Sequence, residues 1–242
     1  IIKSLNIPRS PICYWINNNI INAFTEGLKL EELSDVKVGL QTSDNNRFLR
    51  FWHEVNINDI GFNIPNSNIS KESGFKWFPH NKGGSFRKWY GNQDYIVNWY
   101  DDGYEIKNFK DKNGKLKSRP QNTSFYFKES ISWSEISSSK VSFRFFETGF
   151  VFDSTGCSLF AGDINKYYLL GFLNSSINQY ILNLISPTMH YTTGAVSSIP
   201  IIKNQSNEFI EKIVKEKGIT KIHISLSDTD KLAMAYVVAE GD

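Results

Sequence analysis

The usual chemistry of catalysis is scarce in this sequence. Only two cysteines occur in 242 residues, Cys13 and Cys157. They are too far apart for a ligand cluster, which argues for a reducing compartment and against both a disulfide framework and a zinc site. The four histidines, His53, His80, His190 and His223, are dispersed and match no metal pattern such as HExxH, so no metal is expected. No G-x-S-x-G elbow, P-loop or G-x-G nucleotide turn is present. Cys157, between small residues in "STGCSLF", reads as a buried packing thiol, and the Asp101-Asp102 pair as a solvated turn. No catalytic residue is therefore assigned. No apolar run approaches the ~18 residues of a membrane span, and the opening "IIKSLNIPRSP" lacks a signal-peptide pattern. A cytoplasmic location without membrane contact is expected. The chain begins at Ile1 without a methionine and reads as a piece of something longer.

Net charge is also small, +2, with 40% hydrophobic and 21% charged residues, so the chain is globular and any basic face must arise from local segregation. Acidic residues are absent from Ser73 to Gln93, where Lys76, Lys82, Arg87 and Lys88 alternate with Phe75, Trp77, Phe78, Phe86, Trp89 and Tyr90. Lysine and arginine attract phosphate, aromatic faces stack on bases or sugars, and the adjacent Gly83 and Gly84 let backbone N–H groups approach an anion. Lys82, Gly83, Gly84, Arg87 and Lys88 are thus candidates for holding a nucleic-acid backbone, with Trp89 expected as the buried floor of the turn. The alternative is ordinary: rings in the core, cations solvated around a loop. A second basic segment, "KNFKDKNGKLKSR", sets Lys107, Lys110, Lys112, Lys115, Lys117 and Arg119 against Asp111 alone, with a turn at Asn113-Gly114.

Aromatic residues at 14% favour broad, half-buried sheets. A helix is expected from Ser10 as N-cap to Gly27 as left-handed stop, its stripe including Ile12, Trp15, Ile16, Ile20, Ala23 and Phe24. Strands are expected on both sides of a polar turn at Ser43–Asn46, then in "YIVNWY", "TSFYFK", "ISWSEI", "VSFRFF" and "GFVFD". Residues 56–74 read as a surface connection. One helix is expected over "NKYYLLGFLNSSINQYILNLI", with Leu169, Leu170, Leu173, Ile177, Tyr180, Ile181 and Leu184 on its apolar face. A short helix follows over 206–218, then a strand and an ambiguous apolar run. The class is α+β: a mixed, mostly antiparallel curved sheet with flanking helices. The expected organisation is a helical lead-in at 1–27, a domain at 28–202, and a helix and tail at 203–242.

Several segments, taken in order, carry a resemblance: "VKVGLQTSDNNRFLRFW", "WFPHNKGGSFRKWYGNQDYIVNWYDDGYEIKNF", "RPQNTSFYFKESISWSEISS", "GFVFDSTGCSLF" and "YYLLGFLNSSINQYILNLISPTMHYTTGAVSSIPI". From about Ile7 to Ile202 the chain closely resembles the C-terminal half of the adenine-specific DNA methyltransferases of the BREX phage-defence system, the PglX type. More distantly it resembles the TaqI-like C-terminal specificity domains of restriction-modification enzymes. The resemblance implies a DNA target recognition region of an N6-adenine methyltransferase. The implied partners are double-stranded DNA, the catalytic domain of the same parent chain and other phage-defence proteins. S-adenosylmethionine is the implied cofactor of the parent. None is implied for this chain, because the family's cofactor loop and Asn-Pro-Pro-Tyr motif do not occur in it. Residue 80 is His where the family usually has an aromatic, and the tail after about Gly218 does not resemble it. On this reading Gln121, Asn122, Lys140 and Arg144 are candidates for reading bases. Gln41, Thr42, Asn45, Asn46 and Arg47 form a polar loop facing DNA or the catalytic domain. Two rivals remain from other classes, a glycan-binding module and a protein-interaction domain, since exposed aromatics serve both.

Overall fold

The computed structural model describes residues 7–8, 16–138, 140–202, 219–229 and 232–241, the last two stretches through their backbone. The chain divides into two units, one of residues 1–34, 162–188 and 194–242, the other of residues 35–161 and 189–193.

In the first unit, helix α1 (Asn18–Glu26) starts at Asn17, whose side-chain oxygen accepts from the Asn19 N–H at 2.9 Å. The N-cap expected at Ser10, with Ile12 and Trp15, lies outside the described residues. Ile20 and Phe24 pack on Ile181, Ile185 and Ala195, as an amphipathic stripe should. Gly27 departs from expectation: it is extended (φ −75°, ψ 148°), not left-handed. Crowding explains the glycine, since a Cβ there would meet the Ala23 carbonyl oxygen at 2.4 Å. Strand β1 (Leu28–Lys29) follows, then the one-turn α2 (Leu30–Leu33).

The single helix expected over 165–185 is two, α6 (Lys166–Leu173) and α7 (Ser176–Ile185). Polar side chains break it. Asn174 Nδ2 donates to the Leu170 carbonyl at 3.1 Å, while Ser175 Oγ accepts from the Asn178 N–H at 3.1 Å and caps α7. The break turns Ile177 and Tyr180, expected on the core stripe, out to solvent at 49% and 39% exposure. After α8 (Thr193–Ser197), β12 (Pro200–Ile201) pairs antiparallel with β1. The helix expected over 206–218 lies outside the described residues. The tail is an antiparallel pair, β13 (Ile219–Thr229) with β14 (Leu232–Gly241).

The second unit holds two four-stranded sheets. One has the order β10 (Val151–Phe152), β5 (Trp77–Asn81), β6 (Tyr95–Asn98), β4 (Leu49–Phe51); β10 runs parallel to β5 and the rest are antiparallel. The other, fully antiparallel, has the order β2 (Asp35–Lys37), β11 (Ser158–Phe160), β8 (Ser130–Trp133), β9 (Phe143–Phe146). A short pair, β3 (Leu40–Gln41) with β7 (Arg119–Pro120), completes the strands. With α3 (Asn45–Phe48), α4 (Ser67–Glu72) and α5 (Tyr100–Lys107), this is an α+β architecture of mixed, mostly antiparallel sheets flanked by helices.

Large rings build the core. Phe78 meets Phe127 edge-on (centroids 5.5 Å apart), and Trp99 meets Tyr126 at 5.1 Å, contacts worth roughly 0.5–1.5 kcal/mol each beyond their burial. The alternation in "TSFYFK" reflects this core rather than a strand. Residues Thr123–Phe125 form a 3-10 turn after the left-handed Asn122, and Phe127 itself has φ 68°. Buried anchors in a tight turn mimic the two-residue period of a strand. The polar turn at Ser43–Asn46 runs straight into a helix: Ser43 is left-handed (φ 61°), and Asp44 accepts the Arg47 N–H at 3.1 Å and caps α3. The connection at 56–74 contains α4. Asp101 and Asp102 sit in left-handed backbone and serve structure. Asp102 accepts from Lys107 Nζ at 2.6 Å, and Asp101 pairs with Lys71 at 3.6 Å.

Candidate nucleic-acid interface

Strand β5 is buried along its whole length and delivers the chain into Lys82-Gly83-Gly84. The last strand residue, Asn81, ties this exit to the neighbouring sheet. Its Nδ2 donates to Ser132 Oγ at 2.6 Å and to the Gly156 carbonyl at 3.2 Å, while its Oδ1 accepts the Gly83 N–H at 3.2 Å. Gly84 N–H donates to Ser134 Oγ at 3.0 Å. Both glycine amides expected to cradle an anion are thus engaged by protein side chains. Their positive φ values, 77° and 131°, still explain the residue type, and a Cβ on Gly83 would meet the Thr155 carbonyl oxygen at 3.0 Å.

Lys82 turns inward. Its Nζ donates to Asp153 Oδ2 at 2.8 Å, and His80 Nε2 lies 3.3 Å from the same oxygen. Asp153 Oδ1 accepts from the Thr155 N–H (2.8 Å) and hydroxyl (2.7 Å). Burial alone would raise the Asp153 pKa; the His80 ring and the Lys82 ammonium outweigh it and hold the carboxyl well below the usual carboxylate range. Nearby Cys157 is wholly buried and its thiol is pushed up to about 12, by burial first and then by the charges of Glu135 and Asp153. It is an inert packing thiol.

The loop 85–91 leaves this anchor and docks on the edge of β9. Trp89 N–H donates to the Phe143 carbonyl and Phe145 N–H donates to the Trp89 carbonyl, both at 2.9 Å. Asn92 Nδ2 closes the loop on the Ser85 carbonyl at 2.8 Å. Arg144 fastens it from beneath. Its guanidinium donates to Ser134 Oγ (3.1 Å), Ser142 Oγ (3.2 Å) and the Arg87 carbonyl (3.4 Å), and Ser142 Oγ also accepts the Arg87 N–H at 3.1 Å. Arg144 has 0% exposure, so it cannot reach a base edge in this conformation. It makes no ion pair among the described residues, and its Nε has no hydrogen-bond partner. Burial, with Arg87 beside it, brings its pKa down to about 10, which leaves it charged at neutral pH.

Buried charges are normally paired with an opposite charge. The charge acting on this one, Arg87, is of its own sign. Arg87 and Lys88 are exposed on the loop above it, as is Lys140 on the adjoining segment. Lys88 has its pKa lowered by partial burial and by the approach of Lys140. The Arg87 side chain makes no hydrogen bond or ion pair among the described residues. Segments far apart in sequence thus form one cationic surface, set among the exposed rings of Phe86 (47%), Trp89 (39%) and Tyr90 (64%).

No family model matches the chain. Among known proteins it is 40% identical over 208 residues to the adenine-specific methyltransferase PglX of Lacticaseibacillus casei (strain Zhang), covering 85% of this chain and 17% of PglX. It is 37% identical over 211 residues to the adenine-specific methyltransferase BrxX of Escherichia coli O9:H4 (strain HS), covering 85% of this chain and 16% of BrxX. The chain is homologous to the PglX/BrxX adenine-specific methyltransferases. It spans about a sixth of the length of these relatives. What such a segment contributes to a PglX-like protein has to be read from its own residues.

The remaining candidates divide between scaffold and surface. Gln121 and Asn122 donate to the carbonyls of Gly39 (3.5 Å) and Val38 (2.9 Å), fixing the chain between β2 and β3. Thr42 is 2% exposed and donates to Asn45 Oδ1 at 2.6 Å. Arg47 pairs with Glu105 at 2.7 Å and lies over Phe109. Gln41, Asn45 and Asn46 are exposed. In the second basic segment Lys107 is held by Asp102, and Lys117 lies over Phe109 at 4.6 Å. Sequence reasoning missed Ser134, Ser142 and Asp153, which position the loop and have no local motif.

Trp89 is not the floor of the turn. Its backbone has φ 74°, a costly conformation for a bulky residue, and the residue keeps 39% exposure. Trp89→Ala is therefore expected to cost under about 2 kcal/mol, against the ~3–5 kcal/mol of a core tryptophan. Thermal melting checks this, and a loss in the core range refutes a surface role for the ring.

Proposed function

We propose that this chain is the DNA target recognition (specificity) region of an N6-adenine DNA methyltransferase of the BREX phage-defence type, without catalysis of its own. Homology to two adenine-specific methyltransferases supports the parent activity. One observation carries the DNA reading: a wholly buried Arg144 without a carboxylate partner among the described residues, beneath the exposed Arg87, Lys88 and Lys140. Arg144 and Arg87 make no ion pair among the described residues, so an external anion completes their charge, and the exposed rings beside them suit bases or sugars. Arg87, Lys88 and Lys140 hold phosphates, which fixes register. Gln41, Asn45 and Asn46 face DNA or the catalytic domain of the parent chain, which supplies S-adenosylmethionine and the methyl-transfer machinery.

Labelled duplex titrated with the chain tests this. Weak binding is expected, in the ~10⁻⁴–10⁻⁶ M range of non-specific contacts, with a log–log salt slope of about −2.7 for three phosphates. Sugar stacking by a glycan-binding module responds little to salt. Absent binding at low salt, or binding indifferent to salt, rejects the proposal.

A further inference from the structure

The polar loop and Lys82 lie far apart in sequence, yet Asn45, Asn46, Arg50, Phe51, Lys82 and Tyr95 border one cleft of about 390 Å³. That volume is within the ~300–1,000 Å³ of small-molecule sites. One border is aromatic. Phe51 and Tyr95 are cross-strand partners on β4 and β6, stacked with centroids 4.7 Å apart, and His53 stacks on Phe51 at 5.5 Å with the planes 8° apart. Phe51 keeps 38% exposure at the edge of its sheet. A core would not leave such a row of rings at the surface, but a planar ligand would extend it.

The opposite border offers hydrogen bonds. The Asn46 side chain is exposed and makes none among the described residues. Asn45 uses its oxygen on Thr42 and retains its amide donors. Arg50 is held by the carbonyls of Asn46 and Leu49, both at 2.6 Å, and forms no ion pair among the described residues. The acid of the cleft, Glu54, is occupied by the Phe51 N–H at 2.7 Å. An aromatic wall, a free carboxamide and a fixed guanidinium match a planar heterocycle carrying one phosphate.

We infer that this cleft binds one unpaired nucleotide. The base extends the Phe51–Tyr95 stack, its edge pairs with the Asn46 amide, and its phosphate faces Arg50. Adenine is the best fit, because a carboxamide pairs bidentately with its N6 and N7. The inference rests on the nucleic-acid reading only for the source of that nucleotide, a strand of DNA or free nucleotide.

Calorimetry with the whole chain tests it, using dAMP, deoxyribose 5-phosphate, and duplexes with or without one extrahelical adenine. Saturable dAMP binding is expected, about tenfold weaker in Asn46→Ala and weakened again in Tyr95→Leu, with no binding of the base-free sugar phosphate. A tighter hold on the bulged duplex than on the paired one, lost in Asn46→Ala, names DNA as the source. Equal duplexes with dAMP binding intact name free nucleotide. Absence of saturable dAMP binding, or equal binding by Asn46→Ala, overturns the site. Binding of the paired duplex through Arg87 and Lys88 is a separate reading and is scored separately.

Discussion

Asp153→Asn is expected to destabilise the fold by about 3–5 kcal/mol, the usual cost of removing one member of a buried ion cluster. The carboxylate is 1% exposed and satisfies Lys82, the Thr155 amide and hydroxyl, and the side facing His80. Asparagine keeps the shape and an acceptor for Thr155, but it removes the charge that Lys82 answers. The remaining cation is then only partly exposed and without its partner. For a chain of this length the loss corresponds to roughly 6–20 °C in Tm. The same group predicts a pH dependence. Its folded-state pKa lies below the unfolded value of about 4, so its contribution is complete above that value and is lost as pH falls towards the folded-state value. Denaturant unfolding at neutral pH and near pH 3 should show a smaller difference for Asp153→Asn than for the wild type. Equal stability of the two proteins at neutral pH would falsify the structural role assigned to this cluster.

The place of Asp153 explains why part of the molecule was legible in its sequence and part was not. Local signals did well. The acid-poor stretch from Ser73 to Gln93 marks the loop that carries Arg87 and Lys88, and Asn113-Gly114 does mark a tight turn, with Gly114 at φ 80°. Failures came where a distant partner decides. Lys82 looks like Arg87 in sequence, yet a carboxylate 71 positions later captures it. Arg144 sits in "FRFF", where alternation suggests an outward arginine, but both faces of β9 are covered at that point and Ser134 and Ser142 supply its acceptors. Trp89 has the side chain of a core residue. Its left-handed backbone, bridged to β9, keeps its ring partly in solvent. In "SISW" the alternation was real. Ile131 and Trp133 face apolar core, while Ser130 and Ser132 enter a buried polar layer with Asn81 and Ser158 that hydropathy does not reveal.

The largest functional effect is expected from Arg87→Ala combined with Lys88→Ala. Both side chains are exposed, while the loop's attachments at Arg87 are made by its main chain, the N–H to Ser142 and the carbonyl to Arg144. Alanine retains those main-chain groups, so the fold should melt near the wild-type temperature. Phosphate contacts carry no sequence information, so affinity should fall about equally on every duplex. Each lost contact should flatten the log–log salt slope by about 0.9, or about 1.8 for the pair. Lys82→Ala is the control that separates electrostatics at the surface from electrostatics in the interior. Its ammonium is already paired with Asp153, so its loss should lower Tm and leave the salt slope nearly unchanged. Salt-dependent anisotropy beside thermal melting for the three proteins decides the matter. If the double variant keeps the wild-type slope, or Lys82→Ala flattens it as much, the cationic surface on loop 85–91 is not where the DNA backbone is held.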